Sequence, residues 1–259
     1  MLNFAIQTAR DAGRILADRV GRALQVSNKG AIDLVTESDL ASERLIIDRI
    51  KSHYPRHAIL AEESGATDGI EVVAGKTDWK WIIDPLDGTT NYAHGYPCFC
   101  VSIALECAGE IEVGVIYDPM RDEMFAAERG RGATLNELPM RVSRVDDLNA
   151  AMLCTGFPYN VRERPNFVQD FANFTMEAQA VRRDGSASLD LAYVACGRFD
   201  GFWEEGLRAW DIAAGVLLIH EAGGKITDFN GGSLDIYNPR VLASNGQIHE
   251  AMMQVLNQR

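Results

Sequence analysis

The stretch that most constrains this chain is Trp81-Ile82-Ile83-Asp84-Pro85-Leu86-Asp87-Gly88-Thr89-Thr90-Asn91. Three apolar residues run directly into an acidic segment. A buried strand here delivers Asp84 at its carboxyl end, where the backbone leaves the sheet and side chains converge on a ligand. Pro85 fixes φ and has no N–H, so a turn is predicted at this point. Asp87 returns three residues after Asp84, close enough to share a divalent cation with it. Gly88 lets the backbone approach a ligand closely. Thr89 and Thr90, with the N–H groups around them, supply neutral donors for an anion. Carboxylates for a cation beside donors for an anion point to a metal-assisted phosphate site. An ordinary Asp-Gly turn after a strand is the competing reading, and this stretch alone does not separate the two.

The rest of the chain narrows the setting. A length of 259 residues suits one large domain or two lobes sharing a core. With 47% hydrophobic and 24% charged residues, the composition is that of an ordinary globular protein. No apolar run reaches the roughly 18 residues of a membrane span. Met1-Leu2-Asn3-Phe4 lacks a basic region leading into an apolar core, so no secretory signal is expected. The five cysteines (Cys98, Cys100, Cys107, Cys154, Cys196) form no C-x-x-C pair and read as reduced thiols of a cytoplasmic protein. A net charge of −12 disfavours a nucleic-acid backbone as a direct partner.

Periodicity assigns elements along the chain. Leu2, Ile6, Ala9, Ala12, Leu16, Val20 and Ala23 form a helical stripe over 2–24. A polar loop around Lys29 follows, and Thr36 or Ser38 caps a second helix that Pro55 stops after Tyr54. Asp33 and Asp39 flank that helix start, where a role as dipole partners is the plain alternative to a place in the site. Ala58–Ala61 reads as a strand leading to Glu62-Glu63-Ser64. These adjacent carboxylates cannot face the same way; one is available to the Asp84–Asp87 pair, or both are surface acids. Gly65, Gly69 and Gly75 mark 65–78 as an exposed loop. From Phe99 to Glu128 the alternation is that of an antiparallel meander. Polar residues at Asp146–Asn149 mark a boundary between approximate lobes 1–148 and 149–259. Strands at 152–155 and 199–203 and helices at 163–177, from 182 and from 210 to about 222 follow. Strands at 225–228 and 241–244 and a last helix from Gln247 end the series. Gly185-Ser186 is either an anion or hydroxyl site at a helix start or an ordinary cap. Asp211 precedes a helix too apolar to be exposed, which argues that it points into a pocket.

Three motifs in fixed order carry a resemblance. Glu62-Glu63-Ser64, Asp84-Pro85-Leu86-Asp87-Gly88-Thr89-Thr90-Asn91 and Trp210-Asp211-Ile212-Ala213-Ala214-Gly215 together resemble the inositol monophosphatase family of Mg²⁺-dependent, lithium-inhibited phosphomonoesterases. Asp33-Leu34-Val35-Thr36, Glu221-Ala222-Gly223-Gly224, Pro119-Met120-Arg121 and Gly185-Ser186-Ala187-Ser188-Leu189-Asp190-Leu191 extend it, the last two toward the bacterial inositol-1-monophosphatase branch. The resemblance implies an α+β fold: a layered αβαβα sandwich of the sugar-phosphatase type, one unit of two lobes sharing an active-site cleft. It also implies two or three Mg²⁺ ions. Glu62, Asp84 and the Leu86 carbonyl would hold the first, and Asp84, Asp87 and Asp211 the second, with a third ion near Glu62. Leu86, Asp87, Gly88 and Thr89 would line the phosphate, while Gly185, Ser186, Ala187 and Glu204 would hold ring hydroxyls. Arg182, just before the 185–187 turn, is placed with them.

The implied reaction is in-line attack on a phosphate monoester by a metal-activated water, which Thr89, hydrogen-bonded to Asp39 and working with Glu62, would orient and deprotonate. Haloacid-dehalogenase enzymes use D-x-D-G-T with a covalent Asp; here the spacing is three with Pro between, so no aspartyl-phosphate is expected. Nor is there an EF-hand D-x-[DN]-x-[DN]-G run. Fructose-1,6-bisphosphatase, 3′-phosphoadenosine-5′-phosphate phosphatase and histidinol-phosphatase share the metal motifs. Glu204 favours a polyol over a second phosphate, because a carboxylate accepts vicinal hydroxyls and repels an anion. A homodimer is expected. A second role as a partner of transcription factors or RNA polymerase, through a surface remote from the metals, is the reading from another class.

Overall fold

The computed structural model describes residues 1–21, 26–28, 34–64, 70–72, 78–158 and 166–258. Lys29, Asp33, Gly65, Gly69, Gly75 and Glu163, which enter the sequence reading, lie outside them.

Helix α1 (Leu2–Arg19) buries Ala5, Ala9, Ala12 and Leu16 at helical spacing. It stops short of the expected residue 24, since Val20 has already turned to ψ 139°. The short strands β1 (Val26–Asn28) and β2 (Leu34–Thr36) pair antiparallel. Helix α2 (Glu37–His53) starts with a capping box: Thr36 caps it and the Asp39 carboxylate returns to the Thr36 N–H. Strands β3 (Ala58–Ala61), β4 (Ile70–Val72) and β5 (Trp79–Asp87) follow. β4 falls inside the stretch expected to be loop; three residues carry no period, and their pairing with β3 decides their state. β5 is also longer than expected. It continues through Pro85 to Asp87, where a turn was predicted, with its register against the next strand broken between Asp84 and Asp87. A break of that kind is where a strand tolerates proline.

After helix α3 (Thr89–Ala93) come β6 (Cys100–Cys107), β7 (Glu110–Asp118), β8 (Glu123–Glu128), β9 (Ala133–Leu135) and β10 (Leu138–Pro139). They complete an eight-stranded sheet, β10-β9-β8-β7-β6-β5-β3-β4, antiparallel except for β3 beside β5. A 3₁₀ turn at Leu148–Ala150 leads to a second sheet. Its elements are β11 (Met152–Thr155), α4 (Asn166–Glu177), β12 (Ala180–Arg182), α5 (Ala187–Ala195), β13 (Gly201–Glu205), α6 (Ala209–Glu221), β14 (Lys225–Thr227), β15 (Arg240–Ser244) and α7 (His249–Leu256). The five strands order as β12-β11-β13-β15-β14. Here too the expected bounds shift: Arg182 ends a strand rather than opening a helix, Phe199 precedes β13, and the last helix starts at His249.

Alternation along the strands builds the layers. On β6, Val101, Ile103 and Leu105 join Trp81 and Ile83 of β5 under α1 and α2. Cys100 and Ala104 face the other way with Ile82, onto α5 and α6. Those two helices are buried from both sides, because Phe202, Val241 and Ala243 of the second sheet close over them. The outer face of that sheet, with Leu153, Trp203 and Leu242, packs against Phe174 of α4 and Met252 and Val255 of α7. The order is helix, sheet, helix, sheet, helix: the αβαβα sandwich. Each fully buried Ile, Leu or Phe contributes about 1.5–3 kcal/mol of transfer free energy. Contact across the layers is close: a Cβ on Gly114 of β7 would lie 2.7 Å from the Ala214 carbonyl oxygen of α6.

Candidate active site

Residues far apart in the chain meet where β5 ends. Asp84 and Asp87 come from that strand and Asp211 from the first turn of α6. One carboxylate oxygen from each lies within 4.8 Å of the others, the only such group of acids among the described residues. Each is held from behind. Asp84 Oδ1 accepts the Leu86 N–H at 3.0 Å. Asp87 Oδ2 accepts the Ser186 hydroxyl at 2.6 Å and the Ser188 N–H at 2.7 Å, tying β5 to the start of α5. Asp211 Oδ2 accepts the Arg208 N–H at 2.6 Å, and the Asp211 carbonyl accepts the Ser188 hydroxyl at 2.7 Å. Glu62, at the end of β3, stands outside the 4.8 Å group, yet its charge acts on both Asp84 and Asp211.

The cluster is electrostatically costly as it stands. Burial, then Glu62, Asp87 and Asp211, push the Asp84 carboxyl well above the usual carboxylate range. Burial, then Asp87 and Glu62, do the same to Asp211. Asp87 is also raised by burial, against the hydrogen bonds from Ser186 and Ser188. Like charges this close either take up protons or gather around a cation. Oxygen-only ligands on separate elements suit a hard divalent ion that keeps some of its water.

Beside the acids, the Thr89 hydroxyl lies 3.1 Å from Asp39 Oδ1 and 3.0 Å from the Leu86 carbonyl oxygen. It has one proton and therefore donates to one of them at a time. Asp39 is fully buried and doubly engaged with Thr36; burial raises its pKa and those hydrogen bonds oppose the rise. Gly88, at φ 94°, takes the left-handed conformation between β5 and α3. A side chain there would strike the Cys98 carbonyl at 2.9 Å.

On the opposite wall Gly185, Ser186 and Ala187 start α5, and Glu204 projects from β13. Glu204 is buried, and a Cβ on Gly156 would come within 2.2 Å of its carboxylate. Burial pushes its pKa up to about 8, with Arg183 opposing and Asp87 reinforcing. Arg182 and Arg183 are both exposed. The Arg182 guanidinium donates to the adjacent Val181 carbonyl at 3.2 Å. Arg183 lies over the Phe157 ring at 5.8 Å, beside Gly185, and its charge acts on Glu204.

Three supporting roles escaped the sequence reading, one of them that of Asn91 in the 84–91 motif. Asn91 Nδ2 donates to the Cys98 carbonyl at 2.7 Å and the Asp184 carbonyl at 2.8 Å, joining the two walls. Ser42 donates to the Pro85 carbonyl at 2.8 Å. Glu43 accepts the Glu63 N–H at 2.7 Å and also the Ser64 hydroxyl. The available signal is spacing: 39, 42 and 43 continue toward the N-terminus the buried stripe of Ile46 and Ile50.

A five-layered sandwich with an acid cluster at a strand end, backed by a Thr–Asp pair, defines a sugar-phosphatase type of hydrolase. The model of the inositol monophosphatase family matches residues 1–259, and the chain belongs to that family. It is a phosphomonoesterase. It is 46% identical over 256 residues to the Nus factor SuhB of Escherichia coli K12, covering 98% of this chain and 94% of the relative. It is 44% identical over 257 residues to the inositol-1-monophosphatase of Synechocystis, covering 98% of this chain and 88% of the relative. Among solved structures, extragenic suppressor protein SuhB of Bartonella henselae superposes with a TM-score of 0.93 at 42% identity, covering 99% of this chain and 98% of that one. Inositol monophosphatase from Anabaena gives 0.88 at 46%, covering 99% and 95%.

Proposed function

We propose that this phosphatase hydrolyses inositol-1-phosphate or a similar polyol monophosphate with Mg²⁺ as its cofactor. The observation that carries the reading is the convergence of Asp84, Asp87 and Asp211 beside the Thr89–Asp39 pair. Glu62, Asp84, Asp87, Asp211 and the Leu86 carbonyl would hold two or three ions. Bound there, Mg²⁺ would lower the pKa of water and neutralise the charge of the reacting phosphate. The chain's own residues do the rest. Thr89 orients the attacking water and passes its proton toward Asp39 or Glu62. The N–H groups of Gly88 and Thr89 receive the phosphate oxygens. The 185–187 turn and Glu204 hold ring hydroxyls, with Arg182 and Arg183 as the basic residues before that turn and the charge of Arg183 acting on Glu204. Glu204 supports a polyol substrate because its buried carboxyl can accept from or donate to a diol.

Phosphate release from inositol-1-phosphate, measured with and without Mg²⁺ and then with added Li⁺, tests the reading. Release should require Mg²⁺ and fall with Li⁺. A tenfold preference for fructose-1,6-bisphosphate would overturn the substrate assignment, the scale expected when one site contact is mismatched. The relatives named Nus factor favour a second role, in which the protein also meets the transcription machinery; a homodimer acting in the cytoplasm is part of the proposed reading. No helix among the described residues is long and apolar enough to cross a membrane. An Asp87→Asn protein that loses phosphatase activity yet keeps a cellular phenotype would support that role.

A further inference from the structure

Three polar residues on one face of α2 each hold a different part of the site. Asp39 takes the Thr89 hydroxyl, Ser42 donates to the Pro85 carbonyl, and Glu43 grips the turn after β3. Glu43 is 4% exposed and does not belong to the acid cluster. One of its carboxylate oxygens accepts the Glu63 N–H at 2.7 Å and the other accepts the Ser64 hydroxyl. On the other side of Glu62, Ala61 is locked into the sheet between Ile83 and Ile70. Glu62 is therefore bracketed by a strand residue and a clamped pair.

The bracket has a chemical consequence. Residues 62 and 63 are both glutamates, and successive side chains leaving a strand point to opposite sides. A small rotation of the turn exchanges the two: it would swing Glu62 toward solvent and offer Glu63 in its place. Glutamate has three rotatable side-chain bonds, so its reach is decided by where the backbone starts it. The carboxylate of Glu43 takes hydrogen bonds from Glu63 and Ser64, the two residues that follow Glu62, and charged acceptors make such bonds strong and directional.

We propose that Glu43 is a positioning residue that aims Glu62, rather than Glu63, at the Asp84–Asp87–Asp211 cluster. The inference rests on the reading of Glu62 as a cation ligand. Calorimetric titration of the metal-free protein with Mg²⁺ alone tests it, together with amide hydrogen exchange at Glu63. Glu43→Ala should bind Mg²⁺ about tenfold more weakly, the low end of the loss seen when an outer-shell partner of a metal ligand is removed. The Glu63 amide should lose its protection. Glu43→Gln should restore both, with affinity within about threefold of the parent, because its carbonyl still accepts the Glu63 N–H while the Ser64 hydroxyl rotates to accept from the amide. Ser64→Ala removes half of the clamp without touching the core, and should weaken binding in the same direction by less. It decides the matter if Glu43→Ala does not fold.

Glu62→Gln, measured alongside, separates the two readings. If it weakens Mg²⁺ binding while Glu43→Ala and Ser64→Ala do not, the positioning role is overturned and the ligand assignment stands. If Glu62→Gln itself binds like the parent, the ligand assignment fails and the inference falls with it. A Glu43→Gln protein as weak as Glu43→Ala would also overturn the proposal, because net charge and not the geometry of the turn would then be responsible.

Discussion

Glu204 offers a test that needs no substrate. Its carboxyl is buried and its pKa rises from an ordinary 4.5 to about 8. An acid with a raised folded pKa binds its proton more tightly in the folded state. Its cost is therefore absent below about pH 4.5, grows as pH rises toward 8 and levels off above that. At roughly 1.4 kcal/mol per pH unit, the ionisable group costs about 3 kcal/mol at pH 7 and about 5 kcal/mol at pH 9. Glutamine keeps the shape beside Gly156 and never ionises. In chelator, Glu204→Gln should thus melt near the parent at pH 5 and above it by about 6–12 °C at pH 7, for a chain of this size. Differential scanning calorimetry over pH 5–9 reads the gap directly. A gap that does not change with pH would refute the argument. So would a parent that is the more stable protein at pH 8.5, because Arg183 would then outweigh burial.

Other outcomes follow from the same geometry. Asp87→Asn should abolish Mg²⁺-dependent phosphate release and lose the stabilisation that raises the parent's Tm on adding Mg²⁺, a free energy of about 2.7 kcal/mol at a hundredfold excess over Kd. Thr89→Ala should lower kcat by about 10²–10⁴-fold, as loss of a general acid–base group does, while leaving Mg²⁺ binding by calorimetry unchanged. Gly156→Ala puts a methyl within 2.2 Å of the Glu204 carboxylate. It should cut kcat/KM by up to about a hundredfold through the displaced carboxyl, and leave hydrolysis of a small phosphate ester without ring hydroxyls nearly intact. His249 is buried between Thr227 and Ser244, each 2.9 Å from a ring nitrogen, and burial pulls its pKa from 6.5 down to about 4. Stability is then lost as pH falls through 6.5 toward 4, and the acid limb of the Tm profile should flatten in His249→Asn.

The layered sandwich was legible through the family resemblance, and the meander and the acid cluster for a physical reason. Alternation of Val101, Ile103 and Leu105 with Cys100 and Ala104 showed the antiparallel strands, while the helices that cover both faces emerge only in the structure. Asp84, Asp87 and Asp211 stood out because acids adjoin runs too apolar to be surface, and a buried acid demands a partner. The supporting residues were hidden for the converse reason. Ser42 and Glu43 sit on a helix rich in other charges, and only the docking of α2 on β5 buries that face. Short strands such as β4, β9 and β10 carry too few residues to show a period, so their neighbours determine them. Pro85 predicted a turn by its local chemistry, but the broken register between Asp84 and Asp87 admits it within the strand.

The helix layer between the two sheets makes the acid cluster a gauge of the whole sandwich. Asp211 rides on α6, which is gripped by Phe202, Val241 and Ala243 from one side, while Asp84 and Asp87 ride on the larger sheet. Any sliding of one sheet over the other changes the gap between these carboxylates. A bound ion would rivet the larger sheet to the helix layer that the smaller sheet grips. Its removal should therefore raise amide exchange in β13 and β15 as well as in β5, although the two smaller-sheet strands supply none of the cluster's acids.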